Sequence, residues 1–70
     1  MEEINAYRVE VRGELDESAF NATSPLRVTD VRVHTTATRF AIRTDQSGLI
    51  GLLRHLHGQG FILLSVNRER

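Results

Sequence analysis

Between Thr38 and Val66 the chain spells strand, capped helix, glycine stop and strand with no interruption. In Thr38-Arg39-Phe40-Ala41-Ile42-Arg43, Phe40 and Ile42 sit two apart between arginines, the period of a half-buried strand. Thr44-Asp45 then offers side-chain oxygens to the first free N–H groups of a helix. Leu49, Leu52, Leu53 and Leu56 follow at i, i+3, i+4 and i+7, which gathers them on one helical face. Leu52 and Leu53 are expected to be almost fully buried. Gly60 suits the left-handed position after a helix, with Phe61 as the apolar contact beyond it. Ile62-Leu63-Leu64-Ser65-Val66 is too short and too β-branched for another helix, so it reads as a strand.

Upstream the same logic gives a simpler pattern. Tyr7, Val9 and Val11 alternate with Arg8, Glu10 and Arg12 in a strand that Gly13 ends. Asp16 to Ala22 holds a cap and early acids but only one or two helical turns, anchored by Leu15 and Phe20. Thr23-Ser24-Pro25 breaks the chain. Val28 to Thr35 is a second strand, with Val31 and Val33 inward and Asp30, Arg32 and His34 outward, and Thr36-Ala37 turns into the strand already described. The order β, short α, β, β, α, β predicts one α+β domain over residues 1–70: a ferredoxin-like split βαβ (βαββαβ) with a stunted first helix. Its four-stranded, mainly antiparallel sheet carries helices on one face, with a right-handed crossover through the long helix. The alternative is a ββαβ sheet with an irregular connection over 15–27.

Seventy residues lie near the lower limit for an unaided core, since a chain of this size buries only about 60% of its unfolded surface. There is no cysteine, so neither disulfides nor thiolate-bound metal can supplement that core. Association with a second chain is the common remaining route. Nine basic residues, all arginine, balance nine acidic ones, which argues against a generic binder of nucleic acid. Met1-Glu2-Glu3-Ile4-Asn5 lacks the features of a leader, and no apolar run approaches the ~20 residues of a membrane span. A cytoplasmic protein is expected.

Catalytic chemistry finds no foothold. His55 and His57 are two apart on a helix and point away from each other, and His34 stands on a strand without acids at ligand spacing. Ser18, Ser24, Ser47 and Ser65 lie outside any strand-turn-helix elbow. Gly48 and Gly51 fall inside a helix rather than in a phosphate cradle. The loop Gly13-Glu14-Leu15-Asp16-Glu17 carries three acids and would repel an anion. No cofactor, metal or catalytic residue is expected, and the chain reads as a non-enzyme.

The leading expectation is therefore a self-associating interaction module. Arg8, Arg12, Arg32, Arg39, Arg43 and His34 share the open sheet face with Glu10 and Asp30, while Tyr7 and Phe40 have the parity of core residues and cannot stack bases there. If Ile62, Leu64 and Val66 face the helices, Phe61 and Leu63 are left on the open face for a second copy to cover. Gly51, opposite the leucine stripe, would admit a close backbone. The candidate contacts are Phe61, Leu63, Arg39 and Gly51 in a homodimer, with open-face arginines pairing with Glu10 and Asp30 of the partner. The alternative is a small-molecule-sensing regulatory domain resembling the ACT type, with a ligand at a dimer interface beside a helix N-terminus lined by Thr44, Asp45 and Gln46.

Val11-Arg12-Gly13-Glu14-Leu15, Asp45-Gln46-Ser47-Gly48-Leu49-Ile50-Gly51-Leu52-Leu53 and Gly60-Phe61-Ile62-Leu63-Leu64-Ser65-Val66, taken in order, resemble a group of short uncharacterised actinobacterial proteins. These share a V-R-G-x-L strand end, a D-Q-x-x-L-x-x-L-L helix start and a G-L-x-L-x-x-V last strand. The resemblance covers about two thirds of the chain. It implies the same fold and a bacterial cytoplasmic origin, and it transfers no functional residue. Gly48, Gly51 and His57-Gly58 depart from it, where better helix formers are usual.

Overall fold

Alternation at Tyr7, Val9 and Val11 becomes strand β1 (Asn5–Arg12), and the short capped segment becomes helix α1 (Glu17–Thr23). Strands β2 (Thr29–His34) and β3 (Ala37–Thr44) form a hairpin. Helix α2 (Gln46–Gly58) then leads to strand β4 (Ile62–Glu69). The computed structural model describes residues 3–69. Met1 and Glu2, part of the opening segment on which the expectation about a leader rests, and Arg70, the last residue of the expected 1–70 domain, lie outside the described residues.

The sheet order is β2-β3-β1-β4, and every neighbouring pair is antiparallel. This is the ferredoxin-like α+β arrangement, with antiparallel pairing throughout. β1 and β3 are central and supply Val9, Val11, Phe40 and Ile42 to the core, each essentially inaccessible to solvent. From the helices come Phe20, Leu52 and Leu56, and from the connections Leu15 and Val28. Each large apolar side chain so buried contributes about 1.5–3 kcal/mol. Leu53 departs from expectation: it is only partly buried, because Leu52 and Leu56 form the centre of the stripe and Leu53 lies on its flank.

Two polar devices hold the connections. Thr38, fully buried on β3, donates its hydroxyl to the Gly13 carbonyl and accepts from Leu15 N–H at 3.1 Å, which fixes the exit from β1. Asn21 clamps the entry to β2, its amide accepting from Val28 N–H at 2.9 Å and donating to the Val28 carbonyl at 3.2 Å. Both satisfy backbone groups that a loop across the core would otherwise leave unpaired.

The second strand is shorter than expected and irregular. Asp30 takes φ +51°, and the register with β3 shifts between Thr29 and Arg32. Val31 packs against the core, but Val33 is 46% exposed on this edge strand. The turn sits at Thr35-Thr36, with Thr35 at φ +48°, one residue earlier than the sequence pattern suggests.

Candidate functional site

The end of α2 determines how β4 enters the sheet. Gly60 adopts φ +89° and gives its N–H to His57 O, while Phe61 N–H reaches Leu56 O at 3.0 Å. This paired closure is the Schellman stop anticipated from Gly60. It turns Phe61 back onto the helix side, where the ring meets Gly13 and lines a shallow groove with Leu15, Ala19 and Phe20. Phe61 is therefore part of the core margin and not of the open face.

Leu63 is corrected for a related reason. β4 pairs regularly with β1 from Glu69 to Ser65, and then the register shifts: Glu10 faces Ser65 but Val11 faces Leu63. Leu64 is an extra residue without a β1 partner, a β-bulge. One inserted residue reverses the parity of everything before it. Leu63 comes opposite core-facing Val11, and Ile62 comes opposite Arg12 on the open face. The three residues remain substantially exposed, at 59%, 48% and 43% for Ile62, Leu63 and Leu64. They form an apolar run on an edge strand whose outer side no other described strand covers.

Across the open face Arg8, Arg32 and Arg39 are paired with acids of the same chain. Arg8 spans from β1 over Ala41 of β3 to Asp30 of β2 at 3.1 Å, and its Nε contacts Glu69 of β4 at 3.0 Å. Arg32 adds a second contact to Asp30 at 3.2 Å, and Arg39 lies 3.5 Å from Glu10, its cross-strand neighbour. The hydrogen bonds from Arg8 and then Arg32 hold the Asp30 carboxyl below its ordinary pKa, and Asp30 and then Glu69 raise that of Arg8. Arg39 and the acids expected to meet a partner's arginines are thus already engaged. Gly51 is exposed on α2 with open space around it, as its place opposite the stripe implies.

The three residues of the sensing alternative divide. Thr44 is buried, and its hydroxyl lies against Gly48, where any Cβ would overlap it. Asp45 caps α2 by accepting from Gly48 N–H at 2.8 Å. Gln46 lines a groove of about 500 Å³ with Tyr7, Leu49 and Arg68, beside Glu3 and Asn5. Gly48 is thus required by packing, which its departure from a good helix former had concealed.

His34 is exposed on β2 and His57 on α2. His55, in contrast, packs edge-on against Phe20 of α1 at 5.3 Å, and its Nε2 is buried without a hydrogen-bond partner. Sequence spacing separates His55 from His57 on the helix, but only the position of α1 shows what His55 meets. Among the described residues no His, Cys, Asp and Glu side chains gather into a group of three that could hold a metal ion, and no helix is long and apolar enough to cross a membrane.

No curated protein and no solved structure matches the chain. A family model does, over residues 6–67, from the first strand to near the end of the last. The chain accordingly belongs to the family described as a domain of unknown function, DUF8691.

Proposed function

We propose that this chain is a small, cytoplasmic, non-enzymatic interaction module that self-associates. The observation that carries the reading is the exposed run Ile62-Leu63-Leu64 on the edge of a domain with a small core. Covering these side chains is worth up to about 1.5–3 kcal/mol each when burial is complete, which is large against the net stability of such a domain. Folding and association are then linked, so the melting temperature rises with protein concentration. Leu63→Glu removes that dependence and lowers the melting temperature at high concentration. A wild-type melting temperature that is the same at every concentration contradicts the reading.

A second reading, the small-molecule-sensing regulatory domain, is favoured by the groove that Tyr7, Gln46, Leu49 and Arg68 line. It mixes an apolar wall with one arginine and one acid, Glu3, as a small zwitterion such as an amino acid requires. A panel of carboxylate metabolites that includes amino acids would raise the melting temperature if this reading holds. No shift with any of them removes it.

A further inference from the structure

We infer that the second copy joins strand to strand: β4 of one chain pairs antiparallel with β4 of the other, making one eight-stranded sheet. This rests on the self-association reading and specifies its geometry. The sheet has two edges, and they differ. β2 is six residues long and bears exposed Arg32 and His34, both features that blunt an edge. β4 is eight residues long, has no proline, and keeps its charges to Arg68 and Glu69 at the far end. Its first half presents an unpaired backbone row flanked by apolar side chains.

The bulge decides between edge and face. By placing Leu63 across from Val11 and Ile62 across from Arg12, it puts apolar residues on both faces of the same edge. A partner lying on the open face would cover Ile62 and leave Leu63 wet. A strand added alongside meets both, because its own side chains alternate between the same two faces. Strand addition therefore accounts for the whole run.

The strand also suits its own copy. A two-fold axis between Leu64 and Ser65 sets Leu63 opposite the second copy's Val66 on the core face and Ile62 opposite its Asn67 on the open face, so that paired residues share a face. In that register Arg68 and Glu69 face Phe61 and Gly60, so no like charges oppose. A standard interface buries about 800 Å² per partner, a sizeable part of the 4906 Å² surface of the chain. One strand edge covers less, so the dimer is expected to be weak and to dissociate on dilution.

The absence of cysteine allows a direct test. Leu64→Cys and Asn67→Cys are oxidised mildly at a concentration where sedimentation of wild type shows a dimer. Pairing about the Leu64–Ser65 bond leaves the two positions 64 one residue out of register across the seam, roughly 6 Å apart and within disulfide reach. It leaves the two positions 67 five residues apart along the seam, roughly 17 Å, beyond such reach. The expected result is a covalent dimer for Leu64→Cys and none for Asn67→Cys. In parallel, wild-type β4 amides should exchange on the order of tenfold more slowly on passing from monomer to dimer, with β2 amides unchanged. A dimer that protects β2 or neither edge, or that links both variants equally, overturns the strand pairing and leaves self-association standing. A monomer at every concentration overturns both.

Discussion

Glycine at three positions of α2 illustrates how one residue type serves different ends. A Cβ at Gly48 would overlap the Thr44 hydroxyl, whereas at Gly51 it would meet nothing within 4 Å, as at Gly58. Alanine outranks glycine in a helix by about 1 kcal/mol. Gly51→Ala is therefore expected to stabilise the fold by up to that amount and Gly48→Ala to destabilise it, both read from urea midpoints. Equal effects at the two sites would mean that Thr44 does not constrain the first turn. His55 offers a second case at this scale. Its Nε2 is buried without a partner beside Phe20, so His55→Leu should raise stability by about 1 kcal/mol. A loss instead would show that the imidazole makes a bond worth more than the apolar contact. Neither feature was legible beforehand, since the close approach at Gly48 and the reach of Phe20 depend on how elements meet.

Elements were legible where periodicity and punctuation agreed. The Asp45 cap and the Gly60 stop rest on contacts within a few residues and took their expected places, while the leucine stripe buried Leu52 and Leu56 and left Leu53 on its flank. Bulges obey a different rule. Asp30 and Leu64 interrupt strands whose composition gives no sign of it, because a bulge is set by the neighbouring strand's register. The error at Leu64 carried Phe61 and Leu63 to the wrong face, and with them the expected shape of the contact surface. The bulge at Asp30 has its own consequence, since that carboxylate meets Arg8 across β3 and Arg32 along β2. Its folded-state pKa is depressed by these hydrogen bonds, so its stabilising contribution is present above the ordinary carboxylate value. That contribution fades as pH falls through the ordinary value towards the lower folded one. Asp30→Asn should therefore be less stable than wild type at neutral pH and converge with it in acid. A difference that stays constant down to pH ~2 would contradict the pairing.

At the scale of the whole molecule, the order of elements carried the topology. A helix between two strands demands a crossover, and two such units with a hairpin between them leave few sheets to choose from. The surface was legible only in part: the sequence announced surplus apolar residues in its last strand, but not which edge or face would bear them. What the fold then leaves is a domain with one guarded edge, β2, and one open edge, β4. Its open face is already laced with internal ion pairs and has less need of a partner than the β4 edge. Sedimentation equilibrium of the wild-type chain from low to high micromolar concentration tests this most directly. The account predicts a weight-average mass that climbs from one chain to two and stops there, with Leu63→Glu held at one. A wild-type mass of a single chain throughout would contradict it.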